Sequence, residues 1–159
     1  MWEEWKYMPS TPGSHDLTTF GAVIKFAIET ELAATKFYDT HAQASARANW
    51  SNIFMELSRL HQKRKLTLER VRREKLNEIM LEPITGLNCD NYVIKLDTEL
   101  DHSDVTKLLQ TAHDIELRCI YFYRDTAKIA KSFSTEVTKI FERLAKENEN
   151  FKAKLDTLT

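Results

Sequence analysis

The stretch AIETELAATKFYDTHA at residues 27–42 returns, 85 positions later, as AHDIELRCIYFYRDTA at residues 112–127. Ala27, Glu31, Leu32, Phe37, Tyr38 and Ala42 match Ala112, Glu116, Leu117, Phe122, Tyr123 and Ala127, six identities in sixteen positions at one constant offset. A repeat of that kind marks two copies of one structural unit. Each copy sits in a longer stripe at alternating spacings of four and three, the signature of an amphipathic helix. The first stripe is Phe20, Ile24, Ala27, Glu31, Ala34, Tyr38 and Ala42, in a helix predicted from Leu17 to about Ala48. The repeat lies on Leu109, Ala112, Glu116, Cys119, Tyr123, Ala127 and Ala130, a third helix that Ser103 can cap.

Each of these helices has a companion. After a polar break at 46–49, a second helix carries Phe54, Leu57, His61, Arg64, Leu68 and Val71 and continues towards Glu78. After a break at 132–135, a fourth carries Val137, Phe141, Leu144, Asn148, Phe151, Leu155 and Leu158. Short links make helices one and two, and three and four, antiparallel neighbours. The stretch from 79 to 102, with Pro83, Gly86, Asn88 and Asp90, is long enough to cross over between the pairs. The expected fold is all-α, an antiparallel four-helix bundle with a long crossover, occupying residues 17–159 behind an irregular arm at 1–16 that Trp2 and Trp5 can pin.

Composition agrees with that expectation. Glycine and proline number three each in 159 residues, and neither occurs from Leu87 onward, so little interrupts a helix. Hydrophobic residues at 42% and charged residues at 30% describe a chain with a core and no membrane-spanning run. Lys and Arg number 23 against 24 Asp and Glu, which excludes general attraction to nucleic acid or to an anionic membrane. Two lone cysteines, Cys89 and Cys119, and an N-terminus reading MWEEWKYMPS without an apolar run lead to a cytoplasmic expectation.

Glu31 and Glu116 are charged residues on otherwise apolar stripes, and a pseudo-twofold bundle brings them towards one another. A buried carboxylate costs several kcal/mol unless it is compensated. His61 and Arg64 on helix two, Asn148 on helix four, and Tyr38 and Tyr123 are the candidate partners, so a polar layer inside the bundle is expected.

At these residues the chain resembles the ferritin-like superfamily, most closely its rubrerythrin branch, over roughly residues 17 to 158. In that family the first and third helices carry ExxAxxxY, the second and fourth carry FxxLAxxExxH, and four glutamates and two histidines hold two irons. Here the first motif stands as Glu31, Ala34 and Tyr38, and its repeat as Glu116, Cys119 and Tyr123. Phe54, Leu57 and Ser58 keep the second motif's register, but its ExxH reads His61 and Arg64. Phe141, Leu144 and Ala145 keep the fourth's, where ExxH reads Asn148 and Phe151. The bridging glutamates and motif histidines are replaced.

Two arrangements of the layer stay open. In one, the planar fork of Arg64 takes the charges of Glu31 and Glu116, Asn148 and the tyrosines close the hydrogen bonds, and there is no cofactor. In the other, Glu31, His61 and Glu116 hold a single iron, manganese or zinc ion, with Arg64 swung aside. Glu56, Glu147 or Glu149 can restore lost ligands only if a helix rotates and exposes its apolar stripe. The resemblance correspondingly implies either a metal-free binding or assembly module, with no catalytic residue, or an oxidoreductase. The oxidoreductase would reduce peroxide or oxygen, or oxidise ferrous iron, and would need a separate electron donor. It also implies a homodimer, for which Phe26 and Phe37, off the first stripe, offer a face.

Other features have simpler readings. His113, three residues before Glu116, and His41, three after Tyr38, are peripheral to the stripe, and His15 and His102 fall in loops. Helix two is rich in Lys and Arg, from Arg59 to Lys75. Without interleaved aromatics for base stacking it reads as a solvated face or as a contact for the acidic connection, not as a nucleic-acid surface. Any protein partner is unnamed by the sequence.

Overall fold

The structure, a computed structural model, describes residues 16–44, 49–75, 79–97, 99–101 and 103–158. Among them are four α-helices, α1 (Phe20–Ala44), α2 (Ser51–Lys75), α3 (Val105–Ala130) and α4 (Thr135–Asp156), and no strand. Helix α1 packs on α2, and α3 on α4. Every residue of the first three stripes is buried, as are Val137, Phe141, Leu144, Asn148 and Leu155 of the fourth. Phe151 and Leu158 are only partly covered. Burial at helical period along all four segments is what makes these sequences helical in place, since an isolated helix is marginal in water.

The helix ends depart in detail from the sequence reading. Helix α1 starts at Phe20, not Leu17, because residues 16–19 run extended beside the crossover. The Leu17 amide donates to the Leu87 carbonyl at 2.8 Å, and the Ile84 amide donates to the Thr18 carbonyl at 3.0 Å. Helix α3 is capped by Asp104, whose carboxylate accepts from the Lys107 amide at 3.2 Å, and not by Ser103. Both residue types cap well, and Ser103 lies one residue earlier, in a turn where its amide donates to Asp101 at 2.8 Å. Ser134 caps α4 through the Val137 amide at 3.2 Å. The expected arm at 1–16, with Trp2 and Trp5, lies outside the described residues except for Asp16, as do the end of the first helix at 45–48 and residues 76–78.

The crossover is part of the core. Ile79, Met80, Ile84, Leu87, Tyr92 and Ile94 are buried, and Gly86 turns the chain at φ +92°. Tyr92 packs edge-on against Phe122 at 5.2 Å and donates its hydroxyl to Asp125 at 2.6 Å. Phe122 in turn meets Phe26 at 5.1 Å. The Phe26 and Phe37 face proposed for a dimer is therefore covered by this chain: Phe26 lies under Phe122, and Phe37 lies against Phe54 at 5.9 Å. Ion pairs tie the two helix pairs together at the surface, Lys75 to Glu136 at 2.9 Å and Lys154 to Glu56 at 3.4 Å. No described helix is long and apolar enough to cross a membrane.

The first amides of α1, which have no partner within the helix, are satisfied by the crossover: Phe20 donates to the Glu82 carbonyl at 2.9 Å and Gly21 to the Met80 carbonyl at 2.8 Å. That docking leaves no room at position 21, where a Cβ would lie 2.8 Å from the Met80 oxygen. Alanine should gain about 1 kcal/mol over glycine in an unobstructed helix. Here the collision with backbone outweighs that gain, and Gly21→Ala should be destabilised by roughly 1 to 2 kcal/mol in urea unfolding. A stabilised variant would mean that the crossover is not seated on α1.

Candidate functional site: a buried charged layer

Seven residues, two helical turns, separate Glu31 from Tyr38 on α1 and Glu116 from Tyr123 on α3, so each pair shares a face. The pairs cross. Tyr38 donates its hydroxyl to Glu116 Oε2 at 2.8 Å and lies 3.2 Å from the Ala112 carbonyl, while Tyr123 donates to Glu31 Oε1. Helix α2 places His61 between the two carboxylates, with Nδ1 2.5 Å from Glu31 Oε2 and Nε2 2.8 Å from Glu116 Oε2. Helix α4 contributes Asn148, whose amide donates to Glu116 Oε1 at 2.8 Å. All four carboxylate oxygens thus have a donor, and Glu31, His61, Glu116 and Asn148 are each 0% exposed. The Tyr38 ring lies nearly parallel to the imidazole, 5.5 Å centroid to centroid and 17° apart, and holds its orientation.

An imidazole can donate from both nitrogens only when it is protonated. Burial alone would lower the pKa of His61, but the charges and hydrogen bonds of Glu116 and Glu31 outweigh burial and push it up to about 9. His61 is therefore an imidazolium at neutral pH. Burial would likewise raise Glu116, yet the His61 charge and hydrogen bond, then Arg64 and Tyr38, hold it below the ordinary carboxylate value. Burial and the neighbouring carboxylates drive both tyrosines well above the usual phenol value, so they stay protonated donors. Burial, with Glu31 and Glu116, also keeps the Cys119 thiol well above its usual value.

Arg64, one turn along from His61, is 1% exposed. Its planar fork does not bridge Glu31 and Glu116, because His61 fills that position. Instead Nε makes a long contact of 3.5 Å to Glu147, and both terminal nitrogens are buried without a hydrogen-bond partner. Burial disfavours the guanidinium charge, but Glu31 and Glu116 more than compensate. The layer therefore balances two buried carboxylates against two buried cations. The Asn148 Oδ1 is also without a donor.

The donor set does not fit the iron pair of the resembled family. That pair takes four carboxylates and two imidazoles, whereas this layer offers two carboxylates, one imidazole, an amide and a guanidinium. No rotated helix restores the missing ligands: Glu147 is engaged with Arg64, Glu149 with Arg124, and Glu56 with Lys154, all towards the surface. A single ion fits better. Glu31 and Glu116 approach opposite nitrogens of His61, so one lone pair cannot serve an ion held by both. The convergent trio is instead Glu31, His61 and Cys119, whose ligand atoms lie within 4.8 Å of one another, slightly wider than the roughly 4 Å of two ligands on one zinc. Cys119 was visible in the sequence as the stripe residue three after Glu116, on the same face, but not as a ligand.

The remaining histidines stay out of the layer. His113 is 42% exposed and pairs with Asp156 at 3.2 Å. His41 lies beside Phe37 at 4.8 Å, ten residues and about 15 Å of helical rise beyond Glu31. His15 and His102 lie outside the described residues.

The protonation of His61 carries a sign that can be measured. Its folded pKa of about 9 stands above the ordinary 6.5, so its contribution is fully present below about pH 6.5 and is lost as pH rises through about 9. Urea unfolding should show a loss on the order of 3 kcal/mol across that window, and His61→Gln should lack it. Parallel stability curves for the two proteins would show that His61 does not titrate there. Comparison with protein-family models, curated proteins and solved structures finds no match to the chain, so its own geometry carries the functional reading.

Proposed function

We propose that this chain is a ferritin-like antiparallel four-helix bundle of the rubrerythrin type in which protein cations have replaced the metal pair, making it a metal-free binding or assembly module of the cytoplasm. The observation that carries the reading is His61 set between Glu31 and Glu116 at 2.5 and 2.8 Å with both ring nitrogens engaged. The crossed Tyr38–Glu116 and Tyr123–Glu31 bonds support it further, since two helices running in opposite senses across a pseudo-twofold axis produce that reciprocal pattern. Charge balance points the same way. Two divalent ions added to this layer, with Arg64 fixed beside them, would leave a large buried positive excess, whereas His61 and Arg64 neutralise the two carboxylates. The reading includes a homodimer, through a surface other than the covered Phe26 and Phe37 face.

A second reading is favoured by Cys119. One divalent ion on Glu31, neutral His61 and a Cys119 thiolate, with Glu116 and Arg64 nearby, is also charge-balanced. It would be a single iron, manganese or zinc ion, and with a redox-active metal and an electron donor the chain would be an oxidoreductase acting on peroxide, oxygen or ferrous iron.

Metal content separates the two. Untagged protein from medium containing iron, manganese and zinc should carry no stoichiometric metal, and chelation should leave its melting temperature unchanged. About one equivalent, lost in His61→Ala and in Cys119→Ala, establishes the second reading, and about two equivalents overturn both. Arg64→Ala in chelator should be destabilised by about 3 kcal/mol, because it leaves an unbalanced buried carboxylate. Unchanged stability would remove Arg64 from the charge balance.

A further inference from the structure

Beside the layer, α2 and α4 enclose a cleft of about 250 Å³ lined by Lys63, Arg64, Thr67, Arg70, Arg143, Leu144 and Glu147. Four cations face one carboxylate there, and Glu147 is shared between Arg64 at 3.5 Å and Arg143 at 3.9 Å. Lys63 and Arg70 have no ion-pair partner among the described residues. The most buried cation of the lining, Arg64, keeps both terminal nitrogens free of any hydrogen bond. Buried charged donors are satisfied in nearly all folded proteins, so an unpaired guanidinium on a residue that lines a positively charged cavity points to an anion.

We propose that this cleft binds a tetrahedral oxyanion of the phosphate class, held by Arg64, Arg70, Arg143 and Lys63. Guanidinium groups match phosphate oxygens in paired, charge-assisted hydrogen bonds, and the Thr67 hydroxyl adds a neutral donor. The volume lies below that of cofactor pockets, which suits inorganic phosphate or a small phosphate monoester. The inference gives a ligand class to the binding-module reading and rests on it. The two fail separately, since metal content decides that reading and phosphate titration decides this one.

The experiment is calorimetric titration of the full chain with inorganic phosphate and, separately, with glycerol phosphate, against chloride at matched ionic strength. Saturable binding of about one phosphate per chain is expected. In the double variant Arg70→Gln, Arg143→Gln, whose side chains lie at the exposed rim, it should weaken at least about tenfold while the melting temperature without phosphate stays near that of the parent. Tighter binding of the ester places a monoester in the cleft; equal binding of both assigns the site to the phosphate group alone. The proposal is overturned if phosphate does no more than chloride, or if the double variant binds unchanged. A single-stranded oligonucleotide that displaces phosphate and binds far more tightly would also overturn it, making the cleft part of a nucleic-acid surface.

Discussion

The imidazolium of His61 between Glu31 and Glu116 is the interaction on which the interior depends. A carboxylate taken out of water costs several kcal/mol, and this fold buries two. One cation set symmetrically between them compensates both at once and uses both of its N–H groups. Tyr123 then fills the remaining oxygen of Glu31 and Asn148 that of Glu116, while Tyr38 adds a third donor to Glu116, on the oxygen that faces His61. Each of the four helices supplies at least one member, so the layer forms only when all four are correctly placed. An apolar layer of the same volume could pack as firmly, but it would tolerate a helix sliding or rotating. A layer in which every carboxylate oxygen has its donor does not, because a small displacement strands a charge.

The repeat is kept where the two halves do the same thing and lost where they do not. Helices α1 and α3 retain Glu and Tyr at equal spacing because each tyrosine serves the other helix's carboxylate. Helices α2 and α4 differ at the matched positions, and both cations of the layer, His61 and Arg64, come from α2. The position that is His61 on α2 is the neutral amide Asn148 on α4, and the position that is Arg64 on α2 is the half-covered Phe151. A second imidazolium at 148 would have left the layer with excess positive charge beside Arg64.

Much of this was legible in the sequence because helical spacing reports which residues share a face. A charged residue on an apolar face stands out, and Glu31, Glu116, His61, Arg64, Asn148, Tyr38 and Tyr123 are all buried. Spacing does not report depth along a side chain, so it could not tell which cation of α2 sits between the carboxylates. The shorter imidazole fits between them, while the longer guanidinium is drawn off towards Glu147. Nor could periodicity show that an irregular segment would pack. The crossover buries its apolar residues against Phe122 and caps α1 with its carbonyls, which is why Phe26 faces inward rather than towards a second copy.

The basic residues of α2 illustrate how a charge run divides once the chain is folded. Lys65 pairs with Glu69 at 3.1 Å and Lys75 with Glu136 at 2.9 Å, ordinary partly exposed pairs worth little to stability. Lys63, Arg64, Thr67 and Arg70 recur at helical spacing along one edge of α2, and α4 closes that edge with Arg143 and Leu144 into a concave space. Among the cations of this second group Arg64 alone is buried, in low-dielectric surroundings where an unbalanced charge has consequence, while Lys63, Arg70 and Arg143 stand at the exposed rim. Arg64 belongs to both the cleft and the layer: its field is felt at Glu31 and Glu116, and its side chain lines the cavity. An anion in the cleft would therefore draw on the same cation that helps neutralise the two glutamates.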